Sequence, residues 1–378
     1  MSRPSRAARA GSRRNPSADG VGADTLEDGL IVASHGRHCV VETPDGQRVI
    51  CHPRGKKLAV VVGDRVRWLP SQDEGTIERI DERRNLLYRQ DEVRTKSFAA
   101  NLDQVLILVA AEPEFSEHQL ARALIACEAE HIEPLIVLNK ADLTEPFARA
   151  WARLAPYRAM GYTVLPLAAK PAHPHHNPVP PAGEGATSAP PAASSELLPR
   201  PSGERACPGL DPGAGVRGDG DAITACSFEA LLARLHGHTT LILGPSGAGK
   251  STLINRAVPG AAAQTGEISQ ALNSGKHTTT TTTWYWLDDA RISALIDSPG
   301  FQEFGLRHID PMQLAAYMPD IKPHVAECRF YNCTHLHEPG CGVRAAVTPD
   351  AQTPASASAI GANRYKIYSD LFAELHGA

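Results

Sequence analysis

A glycine-rich segment at residues 244–251 limits most strongly what this chain can fold into. It reads Gly-Pro-Ser-Gly-Ala-Gly-Lys-Ser and matches the phosphate-binding P-loop pattern G-x-x-x-x-G-K-[S/T]. An apolar run at 240–243 precedes it and residues 252–255 follow it, so we expect the loop between a strand and a helix. The pattern predicts an α/β domain that binds a nucleoside triphosphate through Gly244, Pro245, Ser246, Gly247, Ala248, Gly249, Lys250, Ser251 and Thr252.

Each residue type in this loop has a chemical reason. Gly247 and Gly249 allow the backbone to turn so that successive N–H groups face phosphate oxygens at a helix N-terminus. Lys250 supplies a cation for the outer phosphates, and the Ser251 hydroxyl is a ligand for Mg²⁺. The loop thus indicates phosphate binding but leaves the base unidentified.

The tetrad Asn139, Lys140, Ala141 and Asp142 follows an apolar run at 135–138 and is typical of a guanine-binding loop. A carboxylate at Asp142 is able to accept hydrogen bonds from the guanine ring N–H and from its exocyclic amine, whereas adenine offers no such pair. Since a buried carboxylate left unpaired is costly, the residue discriminates between the bases. Together with the P-loop, this tetrad predicts GTP and GDP as ligands.

A third motif, Asp297, Ser298, Pro299 and Gly300, closes an apolar strand at 292–296. Asp297 fits the role of holding Mg²⁺, and the Gly300 N–H fits a contact with the γ-phosphate. Taken by itself, such a tetrapeptide is more often an ordinary turn. Its position downstream of the P-loop, at the end of a strand, favours the nucleotide role.

The order of the three motifs is unusual. An ordinary GTPase has the P-loop first and N-K-x-D last, whereas here N-K-x-D comes first, which predicts a circular permutation of the α/β fold. Open α/β folds tolerate new termini in exposed loops. On these motifs and their order, the chain resembles the RsgA family of circularly permuted GTPases, which act in maturation of the small ribosomal subunit. The resemblance spans about residues 28–376 apart from one insertion.

The N-terminal residues predict a basic tail followed by a small barrel. Residues 1–27 are rich in arginine and poor in apolar residues, as in disordered segments, and fit an RNA-contacting arm as well as a solubilising tail. Residues 28–90 hold six short alternating segments, which suggest a β-barrel, at 30–33, 38–42, 48–51, 58–62, 65–69 and 76–80. The resemblance implies an OB-fold here. Its basic residues favour contact with rRNA.

Residues 91–307 are the predicted permuted GTPase domain. A segment rich in Pro, Gly, Ala and Ser at 171–222 interrupts it and is predicted to be disordered. Before this insertion, Ala168, Ala169 and Lys170 occupy the place of an S-A-K-like segment, whose backbone contacts the guanine oxygen in GTPases of this kind. Serine is absent from this position, but a backbone contact survives the change.

Two residues of the sequence, His277 and Gln302, are candidates for positioning the attacking water. His277 and the threonines that follow occupy the place of switch I, and the resemblance implies that His277 helps to position the attacking water. Phe301 stands where many GTPases keep a water-orienting glutamine, so we expect slow intrinsic hydrolysis. Gln302 remains an alternative for that role. A GTP sensor without turnover is also compatible with Phe301.

Residues 308–378 carry a second candidate site. Cys328, Cys333, His335 and Cys341 offer three thiolates and an imidazole within a short span, which predicts one closed, structural zinc site. His337 is a competing ligand by proximity. We expect a mainly helical region that ends in an amphipathic helix at 363–374.

Composition bounds the remaining possibilities. The net charge of −4 does not indicate a strongly basic protein, so any RNA contact is expected to be local. No apolar run approaches the length of a membrane span, and no hydrophobic signal region follows the start. Three of the eight cysteines lie close together at 328–341, and this clustering indicates a metal site in a reducing compartment. We therefore expect a cytoplasmic, monomeric, Mg²⁺-dependent GTPase that is stimulated by the small ribosomal subunit and released from it after hydrolysis. A GTP-driven metal chaperone is the alternative from another class.

Overall fold

The computed structural model describes residues 26–35, 38–55, 58–71, 74–90, 95–170, 225–261, 282–298, 304–348 and 359–377. Several predictions made from the sequence lie outside these ranges: the basic tail up to residue 25, the insertion at 171–222, His277, Gly300, Phe301 and Gln302.

The N-terminal part of the described chain is a closed barrel of five strands. These strands are β1 (Glu27–His35), β2 (His38–Glu42), β3 (Arg48–Pro53), β4 (Arg65–Leu69) and β5 (Gly75–Ile80). They are neighbours in the order β1-β2-β3-β5-β4, and β4 pairs back with β1 to close the barrel. Alternate side chains such as Ile31, Val41 and Trp68 fill its interior. The closure confirms the predicted OB-like barrel.

The sixth predicted segment, 58–62, is not a strand of this barrel. Its one ladder contact in the described chain is a bridge from Val62 to Ala99. The buried carboxylate of Asp64 replaces a strand partner, since it accepts hydrogen bonds from the backbone N–H of Val61 at 2.8 Å and from Arg83 Nε at 2.7 Å. A side chain thus satisfies backbone that a ladder would otherwise pair.

A hairpin that the sequence did not predict follows the barrel. Its strands are β6 (Leu86–Gln90) and β7 (Thr95–Ala100). On one side, the backbone N–H of Ala100 donates to the carbonyl of Val62 in the barrel at 2.9 Å. On the other, the N–H of Gln90 donates to the carbonyl of Gly305 at 3.0 Å. The hairpin therefore links the barrel to the segment that follows the Asp297 motif.

The central part is a six-stranded α/β sheet. Its strands, in the spatial order β10-β9-β8-β11-β13-β12, are β8 (Gln104–Ala110), β9 (Glu133–Asn139), β10 (Thr163–Pro166), β11 (Thr239–Leu243), β12 (Thr282–Trp286) and β13 (Ala294–Asp297). All run parallel except β12, which pairs antiparallel with β13. Every residue of β8 is buried, as expected for a central strand covered on both faces.

Five helices accompany this sheet in the described chain: α1 (Glu117–Ala129), α2 (Thr144–Arg153), α3 (Ala155–Ala159), α4 (Phe228–Leu235) and α5 (Lys250–Ala257). Serine caps begin two of them, since Ser116 accepts from Gln119 N and Ser227 accepts from Ala230 N. The strand that leads to N-K-x-D precedes the P-loop strand in the chain. The core is therefore permuted, as predicted.

The barrel and the α/β sheet share a hydrogen-bonded edge. Residues Ala33 and Ser34 of β1 pair antiparallel with Thr283 and Thr282 of β12, which makes one continuous sheet of eleven strands. Only the second half of β1 is available for this contact, because its first half pairs with β4. Strand β12 begins at Thr282, so it includes the last two threonines of the predicted switch I.

The C-terminal region is mainly helical, as predicted. It contains a 3₁₀ helix (Pro311–Tyr317), α6 (Lys322–Val325), α7 (Gly342–Ala345), the short strands β14 (Val347–Thr348) and β15 (Ile360–Gly361), and the long α8 (Ala362–His376). Helix α8 docks on α1, where Arg122 Nη1 donates to Glu374 at 2.9 Å. A buried ion pair joins Arg364 Nε to Asp320 at 2.8 Å. Among the described helices, none is both long and apolar enough to cross a bilayer.

Candidate nucleotide and metal sites

The P-loop and the N-K-x-D tetrad lie at the same edge of the sheet. Strand β9 ends at Asn139 and β11 ends at Leu243, and both run parallel to β8, which lies between them. Open α/β sheets bind their ligands at the carboxyl ends of the strands. The tertiary structure thus brings together two motifs that are about a hundred residues apart in the chain.

The P-loop backbone takes conformations that require glycine. Gly247 and Gly249 have φ of +81° and +101°, in the left-handed region that residues with a Cβ avoid. A Cβ on Gly249 would lie 2.4 Å from Asn139 Nδ2, and one on Gly244 would lie 2.4 Å from the carbonyl oxygen of Leu108. Gly249 caps the N-terminus of α5. The loop therefore presents backbone N–H groups and the positive end of a helix to one point.

Asn139 ties the two motifs to each other. Its side chain is 3% exposed, and Nδ2 donates to the carbonyl of Ala248 in the P-loop at 2.8 Å. On its other side, Oδ1 accepts from the backbone N–H of Ala169 at 2.9 Å. The amide thus connects the P-loop to the loop at 168–170, the predicted contact for the guanine oxygen.

The remaining residues of the tetrad lie beside this connection. Lys140 has φ of +68°, and its ammonium donates to the carbonyl of Glu112. The backbone N–H of Ala141 donates to the carbonyl of Leu167 at 3.0 Å. Asp142 is exposed at the end of the turn. Its carboxylate is therefore accessible to a ligand, and the burial on which the predicted discrimination between bases depends is absent without a bound base.

Lys250 and Asp297 form the polar centre of the site. Lys250 Nζ donates to the carbonyl of Gly244 at 2.6 Å. Burial lowers the pKa of Lys250 and raises the pKa of Asp297 to about 6, and each charge partly offsets the shift of the other. An anion such as phosphate would therefore stabilise the charged form of Lys250, and a divalent cation would stabilise the ionised form of Asp297.

The other predicted phosphate ligands surround this centre. Ser251 is exposed in the first turn of α5, followed by the half-buried Thr252. Ser246 is exposed at the tip of the loop, next to the half-buried Pro245. Strand β13 holds Asp297 beside the P-loop strand, in register with Ile242 of β11, and Ser298 Oγ donates to the carbonyl of Ile242 at 2.9 Å. The serine in the Asp297 motif thus anchors this turn to the P-loop strand.

Arg256 is a site residue that the sequence did not indicate. Its guanidinium lies 4.0 Å from the centroid of the Phe228 ring, and Nη1 donates to the carbonyls of Ala168 and Ala169, both at 3.3 Å. It projects from the P-loop helix and so gives the 168–170 loop a second side-chain contact in addition to Asn139. Its spacing of six residues after the P-loop lysine matches no motif, so only its position after the P-loop was visible in the sequence.

The C-terminal region brings together the four predicted metal ligands. The side-chain donor atoms of Cys328, Cys333, His335 and Cys341 all lie within 4.8 Å of one another. His335 Nδ1 is 3.4 Å from Cys328 Sγ and 3.6 Å from Cys341 Sγ, and these two sulfurs are 3.9 Å apart. His337 is exposed and does not belong to the cluster.

These separations match a tetrahedral ion. With metal–sulfur bonds of about 2.3 Å and metal–nitrogen bonds of about 2.05 Å, tetrahedral geometry places neighbouring sulfurs about 3.8 Å apart and sulfur and nitrogen about 3.6 Å apart. Burial lowers the pKa of His335, which keeps the imidazole in its neutral, ligating form. The separations among Cys328, His335 and Cys341 therefore fit a tetrahedral metal ion, and Cys333 Sγ lies within 4.8 Å of the other three donor atoms.

Neighbouring side chains orient the cluster. Tyr365 Oη donates to the carbonyl of His335 at 2.7 Å, and Tyr368 Oη donates to that of Thr334 at 2.9 Å. Both tyrosines lie on α8, which itself docks on the GTPase core. These two hydrogen bonds connect the cluster to the helix that contacts the core.

Comparison with known proteins identifies the family. The family model described as RsgA GTPase matches residues 80–177 and 221–307. A protein of Variovorax paradoxus (strain S110) named small ribosomal subunit biogenesis GTPase RsgA is 60% identical over 356 residues, covering 94% of this chain and 95% of that protein. A protein of the same name from Paraburkholderia xenovorans (strain LB400) is 46% identical over 341 residues, with coverage of 89% and 92%. The solved structure of YjeQ from Thermotoga maritima is similar with a TM-score of 0.59 and 26% identity, over 93% of this chain and 99% of that one. This chain therefore belongs to the RsgA GTPase family.

Proposed function

We propose that this protein hydrolyses GTP on the small ribosomal subunit, assists the late maturation of that subunit, and leaves it after hydrolysis. The observation that carries the nucleotide part is Asn139, whose buried amide joins the P-loop to the guanine-side loop. The small ribosomal subunit as partner is supported by the names of the relatives at 60% and 46% identity.

The residues have distinct roles in this proposal. The backbone N–H groups of 244–252 and the ammonium of Lys250 hold the phosphates of GTP or GDP. Ser251 and Asp297 bind Mg²⁺, which supplies charge neutralisation at the β- and γ-phosphates. Asp142 reads the guanine edge. Two further assignments, Gly300 at the γ-phosphate and His277 as the residue that positions water, rest on the sequence and the family resemblance.

We assign zinc to the cluster of Cys328, Cys333, His335 and Cys341. Three thiolates with one imidazole in tetrahedral spacing are a donor set that zinc prefers, and four protein ligands leave no open position for catalysis. The ion therefore has a structural role. A closed set of four protein ligands also disfavours the metal-chaperone alternative, which requires a site that releases its metal.

The barrel and the flanking parts complete the proposal. The proposed domains of the chain are a basic tail at 1–27, an OB-fold domain at 28–90, the permuted GTPase domain at 91–307 with its insertion at 171–222, and a zinc-binding domain at 308–378. Exposed arginines on the barrel, such as Arg54 and Arg79, support contact with rRNA. The protein acts as a monomer in the cytoplasm, where ribosomal subunits are assembled.

The test measures GTP hydrolysis with and without purified small ribosomal subunits, with ATP as the base control. We expect stimulation of at least about tenfold that is specific to GTP, because a factor of ten requires only about 1.4 kcal/mol of added transition-state stabilisation. Equal turnover with and without subunits would overturn the ribosomal part of the proposal.

A single substitution tests the base assignment. Asp142→Asn places an amide donor where the carboxylate accepts, so preference should move from GTP to XTP, whose base carries a carbonyl at that position. Competition between the two nucleotides for the parent and the variant measures this change. Unaltered preference for GTP would show that Asp142 does not read the base.

A further inference from the structure

A cavity of about 570 Å³ lies between the barrel and the α/β sheet. Residues of β1 and β4 form one wall, and residues of β12 and of the turn between β12 and β13 form the other. This volume falls within the range of about 300 to 1,000 Å³ that is usual for small-molecule sites.

The cavity is remote from the P-loop. It reaches Thr239, the first residue of β11, whereas the P-loop follows Leu243, the last residue of that strand. At about 3.3 Å per residue, these ends are about 13 Å apart. The cavity is therefore separate from the site proposed for GTP.

Two tryptophans on one face of β12 give the cavity an aromatic wall. The rings of Trp284 and Trp286 are 5.1 Å apart at 72°, an edge-to-face arrangement. Trp286 is held in place, because its Nε1 donates to Glu42 Oε1 at 2.7 Å. Trp284 is 4% exposed, and its indole N–H has no hydrogen-bond acceptor in the described part of the chain. A buried donor of this kind calls for an acceptor.

Acidic groups in the wall are already compensated. Glu42 is 5% exposed and accepts from Trp286 and from Arg48 Nε, the latter at 3.0 Å. Asp28 Oδ1 lies 2.6 Å from Arg67 Nη1. Asp81, the third carboxylate of the lining, lies 3.6 Å from Arg79 and 3.9 Å from Arg67. By contrast, Arg65 is exposed at the cavity, and among the described residues no carboxylate pairs with it. The uncompensated groups of the wall are therefore hydrogen-bond donors and positive charge.

Arg291 adds a second cation at the turn between β12 and β13. Its backbone is in the left-handed region, with φ of +55°, which is uncommon for a residue with a side chain. Asp288 stabilises this turn, since it accepts from the backbone N–H groups of Ile292 at 3.1 Å and Ser293 at 2.8 Å. The guanidinium lies against Gly46 of the barrel, 3.7 Å from Glu42. A strained backbone thus holds Arg291 across the junction.

We propose that this cleft binds one nucleotide, with its base against the partly exposed ring of Trp286, which the buried ring of Trp284 supports, and its phosphate toward Arg65 and Arg291. Aromatic faces bind bases of any kind by stacking, and arginines bind phosphate with paired hydrogen bonds. A free nucleoside phosphate and a single nucleotide within single-stranded RNA share this chemistry. The proposal does not depend on the assignments at the P-loop.

The test uses the full chain with its P-loop site saturated by GDP and Mg²⁺. Nucleoside monophosphates and a fluorescein-labelled ribopentanucleotide serve as probes, and binding is followed by tryptophan fluorescence and by anisotropy. Variants Arg65→Ala and Arg291→Ala, singly and together, alter exposed side chains and should leave the fold intact. Arg149→Ala, an exposed arginine on α2, is the matched control.

We expect the double variant to weaken probe binding at least tenfold and the control to change it less than twofold. Basal GTP turnover should stay unchanged in all variants, since none of them alters the P-loop site. Binding of the pentanucleotide alone would support RNA as the source, and binding of monophosphates as well would support a free nucleotide. Absence of binding by either probe, or binding that both arginine variants retain, would overturn the proposal.

Discussion

Arg256 offers the sharpest test of how the guanine side of the site is held. Its guanidinium joins three elements: the P-loop helix α5, the ring of Phe228 on α4 at 4.0 Å, and the carbonyls of Ala168 and Ala169, both at 3.3 Å. The loop at 168–170 otherwise depends on Asn139 for its position. We therefore expect Arg256→Ala to loosen that loop and to weaken binding of guanine nucleotides.

The magnitude follows from the contacts that are lost. A partly buried cation–π contact contributes about 1 kcal/mol. Two long charge-assisted hydrogen bonds together contribute about another 1 kcal/mol, because their 3.3 Å separations exceed the optimum. If the bound nucleotide needs the ordered loop, GDP affinity should fall by about 2 kcal/mol, or about thirtyfold.

The assay is titration of GDP, IDP and ADP against the parent and the variant, with thermal unfolding measured in parallel. IDP lacks the exocyclic amine but keeps the base oxygen that the loop is proposed to contact, so GDP and IDP should weaken together. Arg158→Ala is a matched control, since Arg158 lies 4.1 Å over Trp151 and donates to the Trp151 carbonyl at 3.0 Å away from this loop. A GDP affinity within threefold of the parent for Arg256→Ala would refute the reasoning, and an equal loss in Arg158→Ala would show a general effect on stability.

Three further predictions concern the rest of the molecule. Gly249→Ala should lower GDP affinity at least about a hundredfold, because the left-handed φ disfavours alanine and its Cβ would lie 2.4 Å from Asn139 Nδ2. Gly161→Ala is the control: Gly161 has a similar φ but no atom within 4 Å of an added Cβ, so GDP affinity should stay unchanged in the same titration. Burial lowers the pKa of His308, so the unfolded chain binds this proton more tightly than the folded chain does. The free energy of unfolding should therefore fall as the pH drops from about 7 through 6.5. Urea unfolding from pH 7.5 to 5 should show that this free energy depends less on pH in His308→Phe than in the parent, and an equal pH dependence in both would contradict the prediction. Cys333→Ser should abolish stoichiometric zinc, measured by atomic absorption, and lower the melting temperature while GDP affinity stays within threefold; retained zinc would exclude Cys333 as a ligand.

Much of the candidate site could be predicted because its parts are contiguous in the chain. Eight consecutive residues make the P-loop, and their backbone conformations follow from glycines at 247 and 249. The four candidate metal ligands likewise lie within the fourteen residues from Cys328 to Cys341, and their donor atoms lie within 4.8 Å of one another. Short-range chemistry of this kind depends little on the rest of the fold.

Elements held by distant partners could not be predicted in the same way. The hairpin of β6 and β7 depends on Val62 and Gly305, which lie far from it in the chain. Residues 58–62 have an alternating pattern, but Asp64 and Arg83 satisfy their backbone in place of a neighbouring strand. Alternation reports which side chains are buried, whereas strand pairing requires a partner in space.

By itself, the sequence located the residues of the two candidate sites and predicted the permuted order of the core and the presence of a barrel. Only the tertiary structure decided how these parts meet: the pairing of β1 with β12, the bridge made by Asn139, the support from Arg256 and the cleft beside Trp284. The physical reason is the range of the interactions. A motif depends on backbone conformations that neighbouring residues impose. A junction between domains depends on contacts between residues that only the packing of the whole chain brings together.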